Sequence, residues 1–272
     1  MKDNRELKES RFLGKQYNDD EYYRQFKKAK SKQVEAIDYS QIGQRYKFSI
    51  IVPYRDNKYQ NRKQQLNTFV PYMTDYLTRL GANYDFCLIV VEQSQDGRKF
   101  NRGQLLNVGF RIAQEQGCNY HIFHDVDLLP DHNLLGYYGF YPFWPLHLAA
   151  VWEKYRYLDL YFGGVCAFST EHFERLNGYP NNFWGWGGED EELYHRIVRH
   201  EMTILNPIGG RFTELPHIHT KNFPELVNQE RFELIEQRPA KGEHNGLSNL
   251  QIKRLHEPER LNRHTSKYLV IL

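Results

Sequence analysis

The sequence predicts an α/β fold with a mostly parallel central sheet flanked by helices, and three observations support this. Short apolar runs typical of buried strands alternate along the chain with segments that have helical spacing. Several of these runs end in proline or in a polar cluster, which are common signals of a strand end. Alternation of strands and helices is characteristic of a parallel sheet with helices on its faces.

The predicted elements follow one another from residue 46 onward. We expect strands in the segments YKFSIIVPYR, YDFCLIVVEQ, NYHIFHDVDLLP, LHLAAVWE and LYFGGVCAFS. Helices are predicted in KQQLNTFVPYMTDYLTRLG, which stops at Gly81, in RGQLLNVGFRIAQEQG, which stops at Gly117, and in TEHFERLNG. Ligands of such sheets bind beyond the carboxyl ends of the strands. The polar sequences that follow the first three strands are therefore predicted to share one active edge.

The chain has 272 residues, which suits one domain with an extension. Residues 1–45 are polar with interleaved charges, so we predict that they are helical or partly disordered and lie outside the core. Residues 46–272 form the predicted main domain. The 36 Lys and Arg nearly balance the 34 Asp and Glu, and this balance argues against a dedicated nucleic-acid partner.

The cysteines and the apolar runs bear on the compartment. Cys87 and Cys166 lie within apolar runs, where buried free thiols are more common than a disulfide framework. Free thiols favour a reducing compartment. We read no apolar leader and no run of the ~20 apolar residues that a transmembrane segment needs. The predicted location is cytoplasmic, with the Golgi lumen as the alternative if the chain is the trimmed form of a membrane-anchored protein.

Two short motifs suit metal chemistry. Asp125 and Asp127, separated by Val126, place two carboxylates at a strand end, where a divalent cation and a nucleotide diphosphate could bind. Turn formers are an equally common reason for such a pair. His217 and His219 would face the same side of an extended segment and could chelate a borderline ion such as Mn²⁺. An isolated pair of this kind is more often surface histidine, and the DxD pair shifts the balance toward metal.

A third motif, WGWGGEDEE, occupies residues 184–192. Glycine lets a backbone approach a ligand or move, and tryptophan can stack on a sugar ring. Acidic residues that open a helix also stabilise its dipole, which explains Glu191 and Glu192. It does not explain the WGWGG segment before them, so we interpret this motif as functional.

Four blocks of the sequence resemble those of the β-1,4-galactosyltransferase family, in the family's order and at close to its spacing. They are FNRGQLLNVGF (100–110), HDVDLLP (124–130), YFGGVCAFS (161–169) and NGYPNNFWGWGGEDEELYHRI (177–197), and VPYR (52–55) and HTKNFPELVNQERFELI (219–235) also align. The resemblance covers roughly residues 46–260. It implies a GT-A fold, with residues 46–272 as the catalytic domain of an inverting, Mn²⁺-dependent glycosyltransferase.

By motif match, the resemblance implies three sets of site residues. The donor UDP-galactose would contact Pro53, Tyr54, Arg55, Phe100, Arg102, Asp125, Val126, Lys154, Tyr161, Gly164, Trp186 and Glu189. The acceptor would contact Trp186, Asp190, Glu191, Arg231, Phe232 and Ile235. The Mn²⁺ ion would bind Asp127, His217 and His219. Asp190 would also be the catalytic base that takes the proton from the acceptor hydroxyl.

Departures from the family pattern bear on the substrates. Asn57 stands where the family has a second arginine, so one phosphate contact is in doubt. Pro216 stands where many members have a metal-binding methionine, and His217 beside it resembles the paired histidines of the family's xylose-directed branch. Tyr161 is kept and favours galactose over N-acetylgalactosamine, whereas Leu158 replaces an acceptor-stacking tyrosine. The acceptor set nevertheless matches the family's N-acetyl pocket at three positions, which favours an N-acetylglucosamine-type acceptor.

We therefore predict transfer of galactose from UDP-galactose to the 4-hydroxyl of an N-acetylglucosamine-type or xylose-type acceptor during synthesis of a glycan, glycolipid or polysaccharide. One alternative is transfer of N-acetylgalactosamine or glucose by the same machinery. Others are an inactive carbohydrate-binding relative and a DxD metal hydrolase. Against these stand the full set of metal and base residues and the WGWGGED motif, which a hydrolase does not need.

Overall fold

The computed structural model describes residues 9–12, 15–18, 28–36, 46–155, 161–237 and 244–272. Its strands are β1 (Glu9–Phe12), β2 (Lys15–Asn18), β3 (Ser31–Val34), β4 (Lys47–Tyr54), β5 (Asp85–Gln93), β6 (Tyr120–His124), β7 (Leu128–Pro130), β8 (Val165–Ser169), β9 (Ile204–Pro207), β10 (Phe212–Glu214), β11 (Lys253–Arg254), β12 (Glu259–Arg260) and β13 (Thr265–Ile271). Its α-helices are α1 (Arg62–Thr78), α2 (Arg102–Glu115), α3 (Leu135–Tyr138), α4 (Thr170–Arg175), α5 (Glu189–Arg199) and α6 (Arg231–Glu236). Short 3₁₀ helices span His132–Leu134, Leu148–Val151, Thr220–Asn222, Pro224–Leu226 and Leu247–Asn249.

The central sheet is parallel in its middle and antiparallel at its edges. The strand order is β11, β13, β5, β4, β6 and β8, and β12 also pairs with β13. The pairs β13–β5, β5–β4 and β4–β6 are parallel. β8 runs antiparallel to β6 at one edge, and β11 and β12 run antiparallel to β13 at the other. The predicted α/β architecture is confirmed.

Helices cover both faces of this sheet. Phe69 and Met73 of α1 join Ile50 of β4 in one buried cluster. Leu105 of α2 joins Ile51 of β4 in a second cluster. Alternate residues of β4 therefore enter opposite cores, because successive side chains of a strand point to opposite faces. This explains why the strand reads as an unbroken apolar run.

The two longest predicted helices end where glycine follows them. α1 ends at Thr78 and α2 at Glu115, and Gly81 and Gly117 then adopt φ values of 92° and 75°. Only glycine takes this left-handed region at little cost, so the chain can turn back toward the next strand. The helix stops that the sequence predicts are confirmed.

The strand predicted in LHLAAVWE is wrong. Leu146 makes isolated bridges to Ala167 of β8 and Leu205 of β9, but Leu148–Val151 then form a 3₁₀ helix. Leu148 is fully buried. A short apolar run can be buried as a helical turn as readily as a strand, and its periodicity does not separate the two.

The prediction of helix in the N-terminal extension is wrong for the residues that the structure describes. β1 and β2 form an antiparallel pair, and β3 pairs in parallel with β9 over Ser31–Val34 and Ile204–Pro207. The β9 edge offers backbone partners, and such tertiary pairing overrides weak local propensity. The division of the chain at residue 45 stays a prediction.

The thiols of Cys87, Cys118 and Cys166 are free and buried, as the sequence predicts for the first and last of them. The Sγ atoms of Cys87 and Cys118 lie 3.2 Å apart. Within the described ranges, none of the helices combines the length and the apolar character that a bilayer crossing requires.

Candidate active site

The polar sequences after β4, β5 and β6 meet at one sheet edge, as predicted. Arg55 follows β4, and its Nη1 donates to the carbonyl oxygen of Arg98, beyond β5, at 2.8 Å. The Arg55 guanidinium also lies 5.6 Å from the centre of the Phe100 ring. Arg102 opens α2, and its Nε donates to Oδ1 of Asp125 after β6 at 2.8 Å. Parallel strands with a common carboxyl edge explain this convergence.

Arg102 is the centre of an acidic group, which we define as Asp125, Glu189 and Asp190. Its Nη1 lies 2.7 Å from Oδ1 of Asp190 and 3.6 Å from Oε1 of Glu189. Asn101 caps α2, because its side chain accepts from the backbone N–H of Gln104 at 2.9 Å. Helix α2 begins at Arg102 and helix α5 begins at Glu189, so the first residues of the two helices face one another. Three carboxylates share one guanidinium, so the group keeps an excess of negative charge.

The Asp190 carboxyl has a pKa well above the usual value for an aspartate. Burial raises the pKa of its carboxyl to about 8, and the charges of Glu189 and Asp125 add to this shift while Arg102 opposes it. The Tyr161 hydroxyl donates to Oδ2 of Asp190 at 3.4 Å. A carboxylate that titrates near the working pH is suited to general-base catalysis.

Gly163 is a site residue that the sequence reasoning missed. A Cβ atom at this position would lie 2.3 Å from Oδ2 of Asp190 and 2.4 Å from the Tyr161 hydroxyl oxygen. Real Cβ atoms do not approach other atoms so closely, so any larger residue would displace the Asp190 carboxyl and the Tyr161 hydroxyl. Its neighbour Gly164, which was predicted, accepts the backbone N–H of Asp125 at 3.0 Å.

The β7–β10 pair brings the histidine segment beside the DxD motif. Glu214 of β10 stands opposite Leu128 of β7, and the backbone N–H of Leu215 donates to the Asp127 carbonyl at 2.7 Å. The ring centres of His217 and His219 are 4.9 Å apart. The expectation that both imidazoles face the same way is therefore confirmed.

The side chains of Glu214, His217 and His219, which we call the histidine group, form a compact set that could hold a metal ion. Their donor atoms lie within 4.8 Å of one another. Nδ1 of His217 is 3.5 Å from Oδ2 of Asp127, the third predicted ligand. Burial and then the charge of Lys154 lower the pKa of His219, which favours the neutral imidazole that metals bind. The donor set fits a divalent ion.

Two basic residues contact these ligands. Nη1 of Arg62, at the start of α1, donates to Oδ2 of Asp127 at 2.7 Å. Although burial works against it, Arg62 and then His217 hold the pKa of Asp127 below its usual value. Lys154, predicted as a donor contact, forms an ion pair with Glu214, and its Nζ is 3.5 Å from Nε2 of His219.

The sequence reasoning missed both Arg62 and Glu214. Arg62 is an arginine five positions after Asn57 that reaches Asp127, and the path of the loop between them cannot be read from the sequence. Glu214 enters the site through the β7–β10 register, and no strand was predicted there. A weak signal existed, since Glu214 is an acidic residue three positions before His217.

Residues 184–188, which we call the Trp186 loop, are hydrogen-bonded to residues 226 and 228, which precede α6. Trp186 is 47% exposed, its N–H donates to the Leu226 carbonyl at 2.8 Å, and its carbonyl accepts from Asn228 N–H at 3.0 Å. A Cβ on Gly187 would lie 2.9 Å from Cδ of Arg231. The loop and the first residue of α6 are therefore in contact.

The other predicted residues differ in accessibility. Phe232 and Ile235 are 3% and 0% exposed, so their side chains are closed to solvent in this conformation. Tyr54 and Val126 are also buried, as is Pro53. Glu191 is half-buried on α5. Leu158, the departure in the acceptor site, lies outside the described residues.

Comparison with known proteins identifies the family. Residues 16–139 match the profile described as the N-terminal region of glycosyl transferase group 7, and residues 146–218 match the one described as the N-terminal domain of galactosyltransferase. The first match begins before residue 46, where the resemblance read from the sequence begins.

Individual relatives agree. The chain is 36% identical over 212 residues to β-1,4-galactosyltransferase 6 of Rattus norvegicus, covering 76% of this chain and 52% of the relative. It is 35% identical over 219 residues to β-1,4-galactosyltransferase 7 of Drosophila melanogaster, covering 78% and 65%. The chain thus spans about half the length of the first of these curated relatives.

Solved structures extend the match to three dimensions. The catalytic domain of Drosophila β-1,4-galactosyltransferase 7 in complex with xylobiose superposes with a TM-score of 0.68 at 32% identity, covering 84% of this chain and 94% of that one. A mutant of the same enzyme in complex with manganese, UDP-Gal and xylobiose gives the same values. The chain has the GT-A fold and belongs to the β-1,4-galactosyltransferase family.

Proposed function

We propose that this chain transfers galactose from UDP-galactose to the 4-hydroxyl of an acceptor sugar, with inversion at the anomeric carbon and with Mn²⁺ as cofactor. The observation that carries the proposal is Asp190, a buried carboxyl with a pKa of about 8 between Arg102 and Tyr161. Structural similarity to an enzyme crystallised with manganese, UDP-Gal and xylobiose supports the choice of donor and metal.

The residues that would hold the metal are Asp127, His217 and His219, and Glu214 is close enough to join them. Mixed imidazole and carboxylate donors suit Mn²⁺ better than Mg²⁺. When bound, the ion would neutralise negative charge on the UDP leaving group. Arg62 donates to Asp127 in this structure. Once a cation binds Asp127, Arg62 would be free to move toward a phosphate.

The remaining chemistry is carried by this chain's own side chains. Asp190 takes the proton of the acceptor hydroxyl as that oxygen attacks the anomeric carbon. Tyr161 and Arg102 orient the carboxylate through their hydrogen bonds to it. Arg55 lies at the same sheet edge and is placed to contact the diphosphate. The Trp186 loop is placed to cover the donor and exclude water during transfer.

For the acceptor, we propose a sugar with an equatorial 4-hydroxyl of the N-acetylglucosamine or xylose type. The paired histidines resemble the xylose-directed branch, and the similar Drosophila structure holds xylobiose. The buried state of Phe232 and Ile235 means that an N-acetyl pocket would have to open on binding. The three free thiols support the cytoplasm as the proposed location.

The proposed function is tested by UDP release from UDP-galactose and Mn²⁺, with and without acceptor. We expect fast release only when an acceptor is added, with Asp190→Asn as the inactive control. A small panel that contains N-acetylglucosamine and xylose glycosides separates the two acceptor types. Equal release without acceptor would indicate a hydrolase, and no release with any acceptor would indicate a binding protein.

A further inference from the structure

The chain around His217 and His219 lacks the backbone pairing of a strand or helix. Residues 215–219 follow β10 without regular secondary structure. Two glutamine side chains donate to carbonyl oxygens within this segment. Nε2 of Gln60 lies 3.2 Å from the oxygen of Ile218, and Nε2 of Gln65 lies 3.3 Å from the oxygen of Pro216. Each histidine therefore has a bonded carbonyl immediately before it.

Gln60 is fixed by further contacts. It is 6% exposed, its Nε2 also donates to the Thr220 hydroxyl at 2.7 Å, and its Oε1 accepts from Nδ2 of Asn57 at 3.1 Å. The neighbouring Tyr59 ring packs 4.6 Å from the Phe223 ring. Residues 59 and 60, which precede α1, therefore contact the chain that follows His219.

Gln65 connects the same segment to the DxD motif. It is 4% exposed, and its Oε1 accepts from Nη1 of Arg62 at 2.7 Å. That same Nη1 donates to Oδ2 of Asp127 at 2.7 Å. A continuous chain of hydrogen bonds therefore runs from one predicted ligand to the carbonyl beside another.

We propose that Gln60 and Gln65 are positioning residues that hold His217 and His219 in the arrangement needed for metal binding. This inference rests on the proposed function, since it assumes that the histidine group binds Mn²⁺. The direction of an imidazole follows the backbone that carries it, and Gln60 and Gln65 bond that backbone immediately before each histidine. Partners that orient metal ligands typically change metal affinity by about 10- to 100-fold when they are removed.

The test measures Mn²⁺ binding to the full chain by titration calorimetry or by the electron paramagnetic resonance of free Mn²⁺, without donor or acceptor. We expect Gln60→Ala and Gln65→Ala each to raise the Kd for Mn²⁺ about 10-fold or more. Gln60→Met keeps the length of the side chain and removes all three of its hydrogen bonds, so it should match Gln60→Ala. Gln64→Ala is the control, because Gln64 lies beside Gln65 on α1 and is exposed.

Two further readouts separate positioning from a general loss of structure. Saturating Mn²⁺ should restore most of kcat in the Gln60 variants, and thermal melting should show that Gln60→Met is folded. Folded variants with the wild-type Kd for Mn²⁺ would overturn the inference. Absence of Mn²⁺ binding by the wild-type chain would instead refute the metal part of the proposed function.

Discussion

The acidic group and the histidine group lie at the same sheet edge but are held in different ways. Asp125 follows a central strand, and Glu189 and Asp190 open α5, so regular backbone hydrogen bonds fix their positions. The histidines belong to irregular chain whose carbonyls are bonded by glutamine side chains. The site therefore combines a part set by local elements with a part set by distant contacts. The second part should be the more sensitive to changes outside the site.

The largest effect should come from the acidic group itself. Asp190→Asn keeps the shape of the side chain and removes its basicity, so kcat should fall by about 10²- to 10⁴-fold while Mn²⁺ and UDP-galactose still bind. Rate and melting temperature are measured together. If Asp190 only stabilised the start of α5, the cost would be about 1 kcal/mol of stability with turnover preserved. Glu171→Gln, at the exposed start of α4, is the matched control.

The histidine group should fail in a different way. EDTA should abolish activity and added Mn²⁺ should restore it. His219→Ala removes a ligand rather than its support, so Mn²⁺ affinity should fall by at least about 100-fold, the upper end for supporting residues. Calorimetric titration measures this, with the exposed His132→Ala as control. Full activity in EDTA would contradict the dependence of activity on a metal ion.

The rise in activity toward pH 8 should come from the acidic group. Burial raises the pKa of Asp190 to about 8, so the carboxyl is mostly protonated at pH 7 and ionised above pH 8. A base acts only when ionised, so kcat/KM should rise about tenfold per pH unit below this value and level off above it. Burial and the charge of Lys154 lower the pKa of His219, so this imidazole loses its proton at a lower pH than the Asp190 carboxyl does. A flat profile between pH 6 and 8 would contradict Asp190 as the base.

The smallest effect concerns the donor sugar, and it probes the contact between Tyr161 and the acidic group. Tyr161→Leu removes bulk next to Asp190 and should raise transfer of N-acetylgalactosamine relative to galactose by several-fold, the scale of one methylene or more in a binding pocket. Competition between the two UDP-sugars gives the ratio. Equal use of both donors by the wild-type chain would contradict the size argument.

The sequence predicted the acidic side of the site well because local patterns determine it. The strands β4, β5, β6 and β8 were recognisable as apolar runs, and the helix stops were set by Gly81 and Gly117. Once the central strands are parallel, the convergence of Arg102 and Asp125 follows from topology. Placement of Asp190 at a helix start also follows from its acidic run.

The histidine side could not be predicted to the same depth. The pairing of β7 with β10 brings in Glu214, and register between such short strands has little sequence signal. Arg62 and Gln60 reach the site through the fold of one loop, whose path depends on the segment that it contacts. The predictions for Leu148–Val151 and for β3 were wrong for a related reason. Burial determined the conformation of the first segment, and the edge of β9 determined that of the second.

The exposed position of Trp186 makes the site visible by optical means. The chain has four tryptophans, and Trp186 belongs to the loop that begins the helix of the proposed base. Its indole is 47% exposed, so closure of the loop over a nucleotide sugar would transfer it from water to a less polar setting. Such a transfer shifts tryptophan emission to shorter wavelength. If the loop closes, the emission of Trp186 should therefore report it in the unlabelled protein, independently of turnover.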